Sequence, residues 1–296
     1  DSIYMACFYR ILIGIGSSFS FLGCLKIISL YFKKKYFSML VGFTNLFSVL
    51  GVLFISVPFI FMVDNYGWRV SFFLLSFISL FFFFIIYFSI NISDVSLYYY
   101  NSLKIRDLLF QLKLLFNNYS LWKISFYGGL MVAPIASYSE LWGVPFILNK
   151  YNLSKDLSVK IVSLTFIGIA IGGPIIGFLY DILNFKKKFL IFCNILSFLS
   201  FLFIIIFKTD NLYLISIFHL LFGFFTSSML LCFDIGSKLL GNSFKATTIS
   251  FINTIIIIVS VIFQPIAGKI IDILSINYII VDLNYVYKIA LFPLLL

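Results

Sequence analysis

Charged residues are scarce in this chain of 296 residues: they make up 11% of it, against 62% hydrophobic residues, and the mean hydropathy is +1.12. Soluble domains carry about 25% charged residues, so this shortage excludes a soluble domain. Long apolar runs reach the roughly 20 residues that a helix needs to cross a bilayer. They lack the short alternating segments of a membrane β-barrel. The composition therefore predicts an all-α, multi-pass membrane protein that contacts the lipid bilayer.

The residues that usually carry catalysis are also rare. The chain has one histidine, one glutamate and four cysteines, and the cysteines all lie inside apolar runs without the paired spacing of a metal or redox site. Neither a glycine-rich phosphate loop nor a His/Glu zinc motif is present in the sequence. We therefore expect no enzymatic activity, no metal and no cofactor. The net charge of +10 lies mainly in loops, where it sets membrane topology, and so does not indicate a nucleic-acid partner.

Nine apolar runs predict eight complete membrane spans and one truncated span. The predicted spans are residues 4–31, 37–62, 70–91, 121–148, 160–180, 189–207, 212–234, 246–271 and, truncated, 285–296. Loops on one side hold twelve lysines and arginines, and loops on the other side hold seven. Positive charge favours the cytoplasmic side, so we expect the lysine-rich loops to be cytoplasmic.

One predicted cytoplasmic loop, residues 92–120, is much longer than the others. It divides the spans into residues 1–91, the end of one helical half, and residues 121–296, a second half of five spans and a truncated sixth. Residues 103–116 place apolar side chains on one helical face, which favours an amphipathic helix at the membrane interface. The alternative is a short extension of a span.

The two groups of spans share a weak repeat. Pro58 precedes Asp64 near the end of the second span, and Pro265 precedes Asp272 near the end of the eighth. Transporter folds are often built from such repeated halves, so we expect a helical bundle of two pseudo-repeated halves. The chain begins at Asp1 and ends inside an apolar run, so we also expect a fragment of a longer protein, with its first half incomplete.

One apolar run rich in small residues ends at a charged face of the membrane. The run contains Gly172, Gly173, Pro174 and Gly177. A lone acid, Asp181, follows it, and then three lysines at 186–188. Small residues let helix backbones approach closely. An acid beside a basic cluster at the end of a span indicates a specific contact at one membrane face.

Three motifs resemble signatures of the major facilitator superfamily of transporters. They are Arg10-x-x-x-Gly14-x-Gly16, Gly67-Trp68-Arg69, and Gly177-x-Leu179-x-Asp181 followed by Lys186, Lys187 and Lys188. In the family they belong to the fourth helix, to the turn between helices five and six, and to the loop after the eighth helix. The resemblance covers essentially the whole chain and implies that its spans match helices four to twelve.

The resemblance is closest to bacterial members described as sugar-phosphate-permease-like or drug-efflux-like, of which the segment 139–148 is typical. It implies a location in the bacterial inner membrane. Two departures stand out. Lysines occupy 186–188 where the family usually has arginines, and lysine is a point charge rather than a rigid fork, so contacts of this loop are expected to be looser. Gly51 and Pro58 are separated where an antiporter signature joins them, so antiport is not indicated.

For Asp181 and the basic loop the resemblance implies a gating role. In the family this acid and loop make charge contacts between neighbouring helices on the cytoplasmic face. Those contacts hold the outward-open state and break in the inward-open state. The alternative is that the lysines only set topology and that Asp181 only ends its helix.

Charges inside a span cost about 2.5–3.5 kcal/mol at a helix centre and are functional by default. Arg10 is a candidate to pair with an anionic solute or a carboxylate, and Gly14 and Gly16 beside it predict close helix packing. Lys26 lies about 24 Å further along the same helix, so the two cations cannot share one small ligand. The alternative for both is a side chain that reaches to the interface.

Glu140 is the only glutamate, and its span contains two glycines and two prolines, which predict a bent or broken helix. A carboxyl group in an apolar setting can exchange protons, so Glu140 is the candidate for proton coupling, with Trp142 beside it as a candidate solute contact. A fixed ion pair is the alternative. The polar candidates inside other spans are His219, Asn45 and Asn253, for which interhelical hydrogen bonding is the simpler account.

Together these features predict a secondary transporter that moves a small organic solute by alternating access of two six-helix halves. Arg10 and Lys26 favour an anionic solute, protons are the candidate coupling ion in a symport mechanism, and we expect a monomer. The alternative is a non-transporting receptor or sensor of the same fold, which needs an added signalling domain. A membrane-embedded transferase needs a cluster of catalytic polar residues that the sequence lacks. We expect that the chain does not transport alone, because helix one lines the cavity in the resembling family.

Overall fold

The computed structural model describes residues 3–89, 105–241, 244–277 and 283–295. Within these ranges the regular secondary structure is entirely helical. The α-helices are α1 (Ile3–Tyr31), α2 (Phe37–Ser89), α3 (Ile105–Phe116), α4 (Tyr119–Pro134), α5 (Gly143–Tyr151), α6 (Lys155–Ile182), α7 (Lys186–Ile206), α8 (Leu212–Thr226), α9 (Leu231–Ser237), α10 (Lys245–Asn277) and α11 (Leu283–Leu291). A π-helix (Ile135–Trp142) joins α4 to α5, and 3-10 turns occupy Lys34–Tyr36, Ser227–Leu230 and Phe292–Leu295. The predicted all-α fold class is confirmed.

Seven helical stretches among the described residues are long and apolar enough to cross a bilayer. They are Ile3–Ser29, Phe61–Ser89, Tyr119–Tyr151, Lys155–Ile182, Lys186–Ile206, Leu212–Ser237 and Lys245–Leu274. Each overlaps a predicted complete span. The remaining complete span, predicted at 37–62, contains the shorter apolar helix Phe37–Val52. The truncated span predicted at 285–296 overlaps α11, which has nine residues.

Three of these helices begin at a side-chain cap. The first amides of an α-helix lack an intrahelical acceptor, and Asn or Ser at the preceding position supplies one. Asn118, Ser154 and Asn211 do this for α4, α6 and α8, with oxygen-to-nitrogen distances of 3.0–3.4 Å. The caps explain why α4 and α6 begin two and five residues before the predicted spans, since a polar cap and first turn extend beyond the apolar run.

The chain divides into two compact units, the smaller of which is Ser48–Leu112. Its main element is the part of α2 on either side of Gly67. Gly67 has φ 78° and ψ 159°, a conformation open to glycine and not to residues with a side chain, so the helix direction changes there. Phe59 and Phe72 pack edge to face across this change, with ring centroids 5.5 Å apart. The predicted Gly-Trp-Arg turn is therefore a kink at Gly67.

The predicted linker helix lies at Ile105–Phe116. Leu115 is fully buried, whereas Leu109, Leu112 and Phe116 are exposed. The indole of Trp122 donates to the carbonyl oxygen of Phe116 at 2.8 Å, which fixes the end of α3 against α4. The first part of the predicted linker, residues 92–104, lies outside the described residues.

The larger unit, Asp1–Phe47 with Lys113–Leu296, is built around a close crossing of α6 and α8. At Gly168 a Cβ atom would overlap the Leu220 carbonyl, and at Gly223 one would overlap the Thr165 carbonyl. Helix association within lipid depends on such close packing of small residues, because lipid tails are as apolar as leucine. The glycines therefore set the distance between these two helices.

Candidate functional site

The end of α6 lies against the beginning of α2. Asp181 Oδ2 accepts a hydrogen bond from the backbone N–H of Met39 at 3.1 Å. Met39 is in the first turn of α2, where amides have no acceptor within their own helix. A carboxylate also interacts favourably with the positive end of a helix dipole. Asp181 thus caps α2 through Met39, which lies 142 residues earlier in the chain.

Two glycines of α6 make this approach possible. A Cβ atom at Gly177 would lie 2.5 Å from the carbonyl oxygen of Ser38, and one at Gly173 would lie 3.0 Å from the carbonyl oxygen of Gly42. The side chain of Ser38 is only 2% exposed. We refer to the six residues of this crossing as the α2–α6 contact; they are Ser38, Met39, Gly42, Gly173, Gly177 and Asp181. Gly172, on the other side of α6, faces α8, and a Cβ there would lie 2.5 Å from the Phe224 carbonyl oxygen.

Several charges surround the α2–α6 contact. Lys186 Nζ lies 4.6 Å from the ring centroid of Tyr180, and Lys245 Nζ lies 4.2 Å from that of Phe37, the first residue of α2. Lys187 and Lys188 are exposed. Asp234 is 2% exposed and pairs with Lys238 one turn later. A buried acid, a capping acid and several lysines are thus gathered at one end of the helices.

The second candidate region is the π-helix between α4 and α5. Pro134 precedes it, and Pro145 lies in the first turn of α5. A proline has no N–H, so Pro145 cannot donate the α-helical hydrogen bond to the carbonyl four residues earlier. The Gly143 N–H instead donates to the Tyr138 carbonyl five residues earlier. The predicted bend is therefore a wide turn in a continuous helix. Such turns are frequent at functional sites, and this one contains Glu140, which is exposed.

A buried hydrogen-bond pair fixes the inner side of this wide turn. Tyr138 Oη lies 2.9 Å from His219 Nε2, and His219 Nδ1 lies 2.8 Å from the Ile215 carbonyl oxygen. A carbonyl only accepts, so Nδ1 carries the proton; in the neutral imidazole Nε2 then accepts from the Tyr138 hydroxyl. Both side chains are fully buried. These contacts support the hydrogen-bonding role for His219 over a role as a ligand.

Lys150 has a role that sequence reasoning missed. Its side chain is 1% exposed, and Nζ donates to the carbonyls of Ile204 at 2.5 Å and Ile205 at 3.2 Å. These are among the last carbonyls of α7, which have no intrahelical donor. Lys150 also lies 5.1 Å from the ring centroid of Phe146. The sequence signal was weak, because a lysine at the end of an apolar run is typical of any loop.

The other charged candidates lie on less packed surfaces. Arg10 is exposed, and Lys26 is half-buried. A Cβ atom at Gly14 or Gly16 would meet no atom within 4 Å, so no described helix packs against them. Within the described ranges no ion pair joins Arg10 to Glu140. The structure does not bring these two candidates together, and their proposed roles stay predictions.

The polar candidates lie in α2, in α10 and at the end of the π-helix. Asn45 is half-buried, and its Nδ2 has no hydrogen-bond partner among the described residues; Asn253 of α10 is also half-buried. Trp142 is half-buried with its ring 6.3 Å from that of Tyr287, and its Nε1 likewise has no described partner. Two of these candidates, Asn45 and Trp142, therefore each have a buried polar group without a described partner, which a solute could satisfy.

The fold and these contacts define a class of protein, the polytopic helical membrane proteins. Two of its helices, α2 and α6, cross closely at glycines, and Asp181 of α6 caps α2. The sequence profile of the Major Facilitator Superfamily matches residues 1–236. The chain therefore belongs to the major facilitator superfamily, a family of membrane transporters. No curated protein matches the chain.

Proposed function

We propose that this protein is a secondary transporter that moves a small organic solute by alternating access, and that the α2–α6 contact holds one of its two states. The observation that carries the proposal is the hydrogen bond from the Met39 N–H to the Asp181 carboxylate. It joins a helix that precedes the predicted linker to a helix that follows it. Relative movement of two such groups of helices is how the repeated halves of transporters expose a site to each side in turn.

The strength of this contact suits a reversible switch. A hydrogen bond to a charged group contributes about 1.5–3 kcal/mol. The interaction of a carboxylate with a helix end adds about 0.3–1 kcal/mol. Two conformations that both need to be populated differ by only a few kcal/mol. The contact is therefore strong enough to favour one state and weak enough to be broken when a solute binds.

Solute binding and coupling are assigned to the wide turn and to the first helix. Glu140 is exposed on a π-helix whose inner side is fixed by Tyr138 and His219, which supports a role for its carboxyl group in proton exchange. Arg10 is exposed on α1 and supplies positive charge for an anionic solute. We propose a symport of protons with an organic anion on this basis.

The test is thermal stabilisation of the purified protein across a panel of organic anions and uncharged solutes. It is followed by uptake of the stabilising solute into proteoliposomes that contain the product of the entire gene. The proposal predicts stabilisation by at least one organic anion that is weaker in Arg10→Gln, and uptake that depends on a pH gradient. A protein that binds a solute from this panel yet accumulates none in any gradient would instead be a receptor of the same fold.

A further inference from the structure

A largely apolar groove lies between α4, α7 and α9 of the larger unit. Its cavity volume is ≈ 300 Å³. The walls are formed mainly by Ile124, Leu190, Ile191 and Ile235, together with the sulfur-bearing side chain of Cys232. None of the residues that line it belongs to the α2–α6 contact or to the π-helix. The groove therefore lies outside both of these regions, although one of its residues, Lys187, belongs to the basic loop that follows α6.

Two lysines from different helices line the same groove. Lys123 is in the second turn of α4, and Lys187 is in the first turn of α7. Both are exposed, and within the described ranges neither forms an ion pair. Lys123 Nζ lies 4.3 Å from the ring centroid of Tyr119, one turn earlier, so its ammonium is directed to the beginning of α4. The two positive charges thus lie at one end of an apolar groove.

No acid offsets these charges within the groove. Its described lining contains no aspartate or glutamate. The nearest acid on α9 is Asp234, which is buried and already paired with Lys238. An occupant that brings a negative charge to the lysine end and an apolar chain to the rest satisfies both parts of the groove.

The spacing along α7 matches a molecule that lies parallel to the helix. Lys187, Leu190, Ile191 and Asn194 are at i, i+3, i+4 and i+7, which places them on one face over about 10 Å. Asn194 and Tyr127 also line a smaller cavity of ≈ 130 Å³. The groove therefore has a charged end, an apolar length and an amide that can hydrogen-bond an ester carbonyl.

We propose that this groove binds an anionic phospholipid of the cytoplasmic leaflet, with its phosphate between Lys123 and Lys187 and an acyl chain along α7. The first turns of α4 and α7 lie at the side that positive charge assigns to the cytoplasm. Basic pockets between membrane helices on that side bind anionic headgroups. The inference does not depend on transport, since it needs only the folded chain.

The test measures, by native mass spectrometry, the binding of dioleoyl phosphatidylglycerol and of dioleoyl phosphatidylcholine to the detergent-purified chain. We expect phosphatidylglycerol to bind more tightly, and Lys123→Gln/Lys187→Gln to weaken that binding roughly 30-fold without changing phosphatidylcholine binding. Lys155→Gln/Lys160→Gln is the matched control, because it removes the same charge from exposed lysines of α6 and should leave the preference intact.

A second variant tests the apolar part. Ile191→Trp fills the groove and should reduce phosphatidylglycerol binding, whereas Ile195→Trp, one turn further on α7 and outside the groove lining, should not. If the double lysine variant does not fold, Lys187→Gln with Lys187→Arg as its conservative partner replaces it. Equal binding of both lipids, unchanged binding in the lysine variants, or equally tight binding of inorganic phosphate alone would overturn the proposal.

Discussion

Replacing Asp181 with asparagine tests the energy of the α2–α6 contact. Asparagine keeps an acceptor for the Met39 N–H, 3.1 Å away, but removes the charge. A hydrogen bond to a neutral acceptor contributes about 0.5–1.5 kcal/mol instead of 1.5–3 kcal/mol. Loss of the helix-dipole interaction costs a further 0.3–1 kcal/mol or less, since Asp181 is partly exposed. The sum, about 1.5 kcal/mol, predicts a roughly tenfold larger population in which the contact is open.

Cysteine accessibility measures this population directly. Ser38 is 2% exposed beneath Gly177, so Ser38→Cys should react with a maleimide only when the contact opens. The exposed native cysteines, Cys7 and Cys24, are first replaced with serine. We expect Asp181→Asn to raise the labelling rate of the new cysteine about tenfold.

The control for this measurement lies on the same helix. Asp156→Asn changes an exposed acid in the first turn of α6, far from the contact, and should leave the labelling rate unchanged. If Asp181→Asn and Asp181→Ala both label at the rate of the parent protein, the carboxylate does not stabilise the contact, and the reasoning is refuted.

Four further predictions concern stability and coupling. Gly177→Ala should lower the thermal midpoint in detergent by the equivalent of about 1–3 kcal/mol through overlap with α2, whereas Gly51→Ala, with open space around it, should not. Lys150→Met should cost about 1–3 kcal/mol and raise amide exchange beyond the end of α7, because two carbonyls lose their donor. Tyr138→Phe should cost a similar amount, because a buried imidazole nitrogen loses its partner. Glu140→Gln should abolish the pH dependence of uptake while binding of the solute persists.

The outcomes that contradict these predictions are specific. Equal thermal midpoints for the two glycine variants would show that the helices separate at little cost. Additive effects of Tyr138→Phe and His219→Leu would show that the two side chains do not interact. Unchanged pH dependence with intact uptake in Glu140→Gln would exclude that residue from coupling.

Much of the fold was predictable, because membrane spans follow from local composition. The apolar runs predicted the helices, and their glycines and prolines marked the irregular places. The kink at Gly67 and the wide turn before Pro145 both lie where the sequence indicated a turn or a bend. The sequence did not predict whether each of these places is a bend, a break or a π-helix. The same pattern of glycines and prolines is compatible with all three.

The contacts of the candidate sites depend on partners distant in the chain. Asp181 was predicted to contact a neighbouring helix. Its partner, the Met39 N–H, could not be predicted, because the sequence does not show that α2 begins beside α6. Lys150 donates to carbonyls at the end of α7, and nothing near Lys150 in the sequence indicates this partner. His219 forms a hydrogen bond of the kind that the sequence favoured, but its partner Tyr138 is 81 residues away and could not be named from the sequence.

The central claim is that the α2–α6 contact must open for transport. The test uses the product of the entire gene with Met39→Cys and Asp181→Cys, in the background without Cys7 and Cys24, and oxidises it to join the two helices. Uptake of the stabilising solute into proteoliposomes is then measured before oxidation, after oxidation and after reduction. The account predicts that uptake is lost on oxidation and restored on reduction. Uptake by the cross-linked protein at the rate of the reduced protein would contradict it.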